Sequence, residues 1–218
     1  LLPVTSARRL ENIDLAVSAH FLPVSHPSVK KLTFMHVLLD FCIFETDVIR
    51  ALNSSEFHYI FCSSKPALEG LRKLVLEHDL SNKVFLIPGG YPRLDQNILK
   101  LNQIPYNRNK TKIVVAPTVS MREAPDCDLT YLAPFLPDLL MRLANEFPLA
   151  EIELRLHPQD ISDLFAKRSC NFRHFLEEAC VITEKISNIS LSVGDNGYTR
   201  SLHADILISD TSSFAYTF

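Results

Sequence analysis

Short apolar runs alternate with longer stretches of helical periodicity along most of this chain, and that alternation limits the fold more than any other feature. Phe57–Cys62 and Lys83–Ile87 have the length and residue types of buried strands. Between them Leu68, Leu71, Leu74 and Val75 recur at helical spacing. Ser64 stands where it would cap that helix, with Pro66 in its first turn. The rhythm continues through a strand at Lys112–Ala116 and a helix over Ala133–Phe147, with Leu136, Leu139, Leu140 and Leu143 facing a core. Glu151–Leu156 alternates polar and apolar, the pattern of a half-buried strand. Ile161–Cys180 reads as mostly helical, Ile189–Val193 as a short strand, and Ile206–Ile208 as a last buried strand. Strand–helix–strand repetition of this kind builds parallel α/β sheets. The strands ending at Ile87, Ala116, Leu156 and Ile208 are therefore expected to have buried centres, the last three in one parallel sheet.

The 218 residues, 47% of them hydrophobic and 22% charged, suffice for one sizeable core or two small ones. The net charge of -3 offers no general attraction for nucleic acid, so any phosphate site must be local. Five Cys without C-x-x-C spacing argue against structural zinc and suit a reducing compartment. No apolar run reaches the ~20 residues that cross a bilayer. Leu1 and Phe218 read as internal cuts, so the fold is expected to be incomplete at both ends. Polar residues 100–110 read as a linker, which divides the chain into a first domain over 1–102 and a second over 109–218.

The apolar run at Ile206–Ile208 stops in Ser209-Asp210-Thr211-Ser212-Ser213. Small hydroxyl residues between a strand and a helix suit a phosphate, because free backbone N–H groups and the helix dipole add to the hydroxyl donors. The same residues also suit a buried strand followed by an Asp or Ser N-cap with no ligand. Glu151–Leu156 delivers His157-Pro158 at its carboxyl end, the edge at which open α/β sheets bind ligands. Pro158 biases His157 toward an extended backbone. Gly89-Gly90-Tyr91-Pro92-Arg93 must be a loop, either a structural turn with Arg93 paired to Asp95 or part of a site. His36, among apolar neighbours, suits a core histidine with one hydrogen bond as well as a catalytic one.

Taken in order, His36, Gly90-Tyr91-Pro92-Arg93-x-Asp95, Ala116-Pro117-Thr118, His157-Pro158 and Ser209-Asp210-Thr211-Ser212-Ser213 form a series. It resembles the CDP-glycerol glycerophosphotransferase family, the teichoic-acid polymerases of GT-B architecture, from about Leu32 onward. The resemblance implies two Rossmann-like parallel-sheet domains with a cleft between them, the second holding the nucleotide donor. It implies a transferase that moves glycerophosphate from CDP-glycerol, or a related CDP-alcohol, to an acceptor hydroxyl in teichoic-acid or capsule synthesis, releasing CMP. His36 would be the catalytic base, although Val37-Leu38-Leu39 follow it where the family has Gly-Thr-Pro. His157, also catalytic, would hold phosphate with Pro158, Thr211, Ser212 and Ser213. Arg93, Thr118 and Arg122 would add contacts and charge, and Asp210 would meet ribose, cap backbone or shape the cleft.

No metal-ligand spacing stands out, and GT-B enzymes generally use protein donors, so metal-independent chemistry with no cofactor is implied. The implied partners are a cytidine nucleotide donor and a polymer or lipid-linked acceptor, without nucleic acid. The implied location is the cytoplasm, with at most peripheral association with the inner membrane face. His-Pro with a downstream Ser-Ser also resembles bacterial sialyltransferases and capsule Kdo transferases, which use CMP-sugars. A GT-B-like domain that binds nucleotide without catalysis is a third reading, kept open by the residues after His36.

Overall fold

The computed structural model describes residues 14–19, 29–34, 45–53, 57–103, 109–120, 131–167, 172–194, 201, 203–210 and 212–216. The chain divides into two compact units, Leu1–Pro92 and Arg93–Phe218, each carrying a four-stranded, all-parallel sheet with helices. The protein is therefore α/β and Rossmann-like. The division falls after Pro92, whereas the composition of the linker carried the first domain on to residue 102. Among the described residues no helix is long and apolar enough to cross a membrane.

The first unit contains β1 (Leu15–Ser18), β2 (Lys30–Phe34), α1 (Glu45–Asn53), β3 (His58–Cys62), α2 (Lys65–Glu77) and β4 (Val84–Pro88), with the strands in the order β1-β2-β3-β4. The α2 helix starts as its residue types dictate. Ser64 is extended and its Oγ accepts the Ala67 N–H at 3.2 Å, while Pro66 occupies the first turn and forfeits no helical bond. Its apolar stripe, Ala67, Leu71, Leu74 and Val75, packs on Ile60 and Cys62 together with Val48 and Leu52 of α1. The other face of this sheet is aromatic. Phe34 lies 5.2 Å from Phe61 and Tyr59 lies 5.1 Å from Phe85, as ring centroids. A Cβ at Gly89 would stand 2.2 Å from the Phe61 ring, so glycine is required for that ring to occupy its place.

A polar cluster interrupts the core of the first unit. Lys31 pairs in register with His58, and Thr33 Oγ1 is 2.8 Å from His58 Nε2, all three side chains being buried. Burial, aided by the Lys31 charge, pulls the His58 pKa down to about 4, and burial pulls that of Lys31 down to about 8. Between pH 6.5 and pH 4 the unfolded chain takes up a proton at His58 that the folded chain refuses. Stability from this group is thus fully present above pH 6.5 and falls on acidification through that window, by on the order of 3 kcal/mol in all. Urea unfolding of the wild type and His58→Gln between pH 7 and pH 4 checks it. The wild type is expected to lose more stability than the variant over that range, and parallel profiles would contradict the assignment.

The second unit contains α3 (Pro92–Leu101), β5 (Lys112–Ala116), a 3-10 turn (Ala133–Phe135), α4 (Leu136–Glu146), β6 (Glu151–Leu154), α5 (Pro158–Phe165), α6 (Arg173–Lys185), β7 (Ile189–Leu191), β8 (Ile206–Ser209) and a second 3-10 turn (Ser213–Tyr216). The strand order is β7-β6-β5-β8. On one face Ile113, Val115, Ile152, Leu154 and Ile189 pack against Leu136, Leu140 and Leu143 of α4 and against Leu176 and Ala179 of α6. On the other, Val114 and Ala116 pack against Phe214, Ala204 and Leu207.

Two strand expectations need correction. β4 and β8 each lie at one edge of their described sheet, and Phe85, Ile87 and Ile206 are 40%, 37% and 44% exposed rather than buried. An outer strand has one paired neighbour and is covered less completely than β5 or β6. Conversely, β6 is not half solvated. Glu153, on its polar face, is 6% exposed, with its carboxylate 2.5 Å from Lys112 Nζ and accepting from Ser201 Oγ. Alternation distinguishes the two faces of a strand, but a second layer of chain can cover the polar one.

Candidate functional site

Parallel pairing of β5 with both β6 and β8 brings three chain exits to one edge of the second sheet: Pro117–Ser120 after β5, Arg155–His157 after β6, and Asp210 onward after β8. Neighbouring strands lie about 4.8 Å apart, so the β6 and β8 exits flank the β5 exit at roughly 10 Å from each other. His157 and the Ser212 segment thus share the carboxyl edge, with Thr118 between them.

His157 is the N-cap of α5. Its backbone is extended (φ -59°, ψ 139°), as a residue before proline prefers, and its Nδ1 accepts the Gln159 N–H at 3.1 Å. An Nδ1 that accepts carries no proton, so the neutral ring has its hydrogen on Nε2. In this state the donor of the ring is Nε2–H. Pro158 fills the first helical position, where its missing N–H costs nothing.

Ser212 is nearly buried, and its Oγ accepts the Phe214 N–H at 3.3 Å, opening the second 3-10 turn. Thr118 is equally buried beside it in the sheet order. Its N–H donates to Asp210 Oδ1 at 2.7 Å, while Asp210 Oδ2 accepts the N–H groups of Tyr131 and Leu132, both at 3.1 Å. The carboxylate of Asp210 therefore holds two separate pieces of backbone. Of the uses considered for it, backbone capping is the one its contacts describe. His36, Arg122 and Thr211 lie outside the described residues, as do the side chains of Arg93 and Ser213. The backbone of Arg93 is in the first turn of α3, so the Gly90–Asp95 motif is a loop that becomes helix at Pro92.

Two further residues shape this edge, and neither was singled out from sequence. Asp160, fully buried in the first turn of α5, accepts the Ser120 N–H with both oxygens (2.9 and 3.0 Å) and the Ser120 hydroxyl at 2.7 Å. Together Asp160 and Asp210 fasten Thr118, Ser120, Tyr131 and Leu132, on either side of residues 121–130. The one local signal was an acid placed to favour a helix N-terminus, which says nothing of Ser120. Arg155 leaves β6 with its guanidinium 5.8 Å above the Phe214 ring centroid and donates from one nitrogen to Ser192 Oγ at 3.2 Å. The strand alternation had assigned it to a solvated face.

A cavity of about 620 Å³ lies at the opposite, amino edge of the same sheet. Its lysines already face carboxylates, Lys110 with Glu151 at 3.8 Å and Lys112 with Glu153. Among the described residues no cluster of three or more His, Cys, Asp or Glu is placed to hold a metal ion. Comparison of the chain with known protein families, curated proteins and solved structures finds no match.

Proposed function

We propose that the protein is a transferase of the CDP-glycerol glycerophosphotransferase kind, built on the GT-B plan. The observation that carries this reading is the convergence of the Thr118, His157 and Ser212 segments on one carboxyl edge of a parallel sheet, the edge where such sheets take nucleotides. In the proposed reaction an acceptor hydroxyl of a growing cell-surface polymer attacks the glycerol-bearing phosphorus of CDP-glycerol. The new P–O bond forms, the bridging P–O bond breaks, CMP leaves, and the hydroxyl proton passes to His36. His157 Nε2–H and the Ser212 hydroxyl offer hydrogen bonds to the phosphate oxygens as charge builds on the leaving CMP. Protein donors, rather than a metal, balance that charge.

Titration with CMP, CDP, UDP and CDP-glycerol tests the reading. A preference for cytidine nucleotides, followed by CMP release from CDP-glycerol, is expected. Preference for UDP, or turnover of a CMP-sugar in place of CDP-glycerol, would replace it.

A further inference from the structure

We propose that Tyr131 is the stacking platform for the base of a nucleotide whose phosphate lies at the carboxyl edge of the second sheet. The nucleotide itself rests on the transferase reading; the position of the ring does not. β5 and β6 run parallel, so the chain after β5 must return to the amino edge before β6 begins, and α4 makes that return. Tyr131, just ahead of α4, therefore stands at the carboxyl edge. One carboxylate fixes it there. Asp210, at the β8 exit, accepts the Thr118 N–H on Oδ1 and the N–H groups of Tyr131 and Leu132 on Oδ2. Tyr131 is thus held within one carboxylate bridge of Thr118, which lies between the His157 and Ser212 segments.

The two residues that share Asp210 Oδ2 differ in their surroundings. Leu132 packs against the core of the unit, whereas Tyr131 is 61% exposed. An anchored backbone leaves the tyrosine only two side-chain torsions to fix, so a base meets a large flat face at low ordering cost. The hydroxyl can stay in water while that face is covered. Base–aromatic stacking tolerates any base, so Tyr131 would supply affinity and leave the choice of nucleotide to other contacts. Other exposed rings of this unit are placed less well. Phe147 and Phe165 lie at the far ends of α4 and α5, which both start at the carboxyl edge. Phe135 begins at this edge, but its N–H returns to Leu132 rather than to a strand exit. A singly exposed tyrosine is also an ordinary surface residue, and probes with and without a base separate the two.

The full chain is titrated calorimetrically with CMP, UMP, cytidine and inorganic pyrophosphate. Tyr131→Ala is expected to weaken CMP and cytidine binding by roughly 5- to 100-fold, the loss that follows removal of one stacked ring, and to leave pyrophosphate binding as it was. Asp210 holds this residue by its backbone, so the variant keeps the anchor. Tyr131→Phe keeps the aromatic face and should bind CMP nearly as the wild type does. Unchanged CMP affinity in Tyr131→Ala, or an equal loss for pyrophosphate, would overturn the proposal. A loss in Tyr131→Phe as large as that in the alanine variant would overturn it too. Should Tyr131→Ala fail to fold, Tyr131→Leu, which keeps bulk without an aromatic face, is read in the same way. Equal wild-type affinities for CMP and UMP, both weakened in Tyr131→Ala, would support the stacking role and overturn the transferase reading alone. Cytidine preference with CMP affinity independent of Tyr131 would overturn the stacking role alone, and no binding of any probe overturns both.

Discussion

Asp160→Ala is expected to lower the unfolding free energy of the second unit by about 3 kcal/mol or more, since breaking a buried charged network by removing one partner costs that much. The side chain is fully buried, and its two oxygens accept from the N–H and the hydroxyl of Ser120. Alanine leaves those donors inside the protein without an acceptor, and burial prevents water from replacing it. Asp160→Asn keeps one acceptor oxygen and should recover part of the loss. Asp210→Ala removes the acceptor of three backbone N–H groups, but at a half-buried position, so a smaller loss is expected. Hydrogen exchange at the β5 amides measures both effects. A change below about 1 kcal/mol in Asp160→Ala, the range of an ordinary surface substitution, would show that the carboxylate does not anchor the chain after β5.

The second large effect concerns which residues carry chemistry and which carry binding. His36→Ala is expected to reduce CDP-glycerol turnover by ~10²–10⁴, the usual yield of general-base catalysis, with CMP affinity nearly unchanged. A base touches the acceptor rather than the leaving nucleotide. His157→Ala and Ser212→Ala should instead weaken CMP binding by roughly one to two powers of ten, because each removes a hydrogen bond to a charged group. For His157 the structure adds a control. Its Nδ1 caps α5, so His157→Asn, which retains a capping oxygen, should restore helix stability without restoring CMP affinity. Hydrolysis of the donor can report turnover where the acceptor is unknown. Affinity losses with no turnover to lose would favour the binding-only reading. Equal small effects from all three alanine variants, with folding intact, would make the series structural.

The local elements were legible because their causes are local. The Ser64 cap, Pro66 and the stripe through Leu71, Leu74 and Val75 together define α2, and the structure places each as its residue type dictates. The same holds for the apolar run of β5, buried along most of its length, and for Pro158 at the start of α5. What failed was the inference from a strand's pattern to its surroundings. Glu153 looked solvated and is buried against Lys112 and Ser201, while Ile206 looked buried and is 44% exposed. Nothing within a strand states whether it lies inside the sheet or at its margin, or what covers its second face.

By itself, then, the sequence determined most of the strands, the helices α2 and α4, the Ser64 cap, and the arrival of His157 and the Ser212 segment at the carboxyl ends of their strands, since side-chain periodicity and backbone preference act over a few residues; it did not mark α1 or α3, and it ran α5 and α6 together as one helical stretch. The tertiary structure alone decided the strand order that sets β5 between those two segments. It also decided the assignment of Asp160 and Asp210 to backbone far along the chain, and the meeting of Arg155 with Phe214. Those partners are joined by packing of one layer on another. Their residue types permit the contact, and only the path of the chain through space selects it from the other contacts the same types would allow.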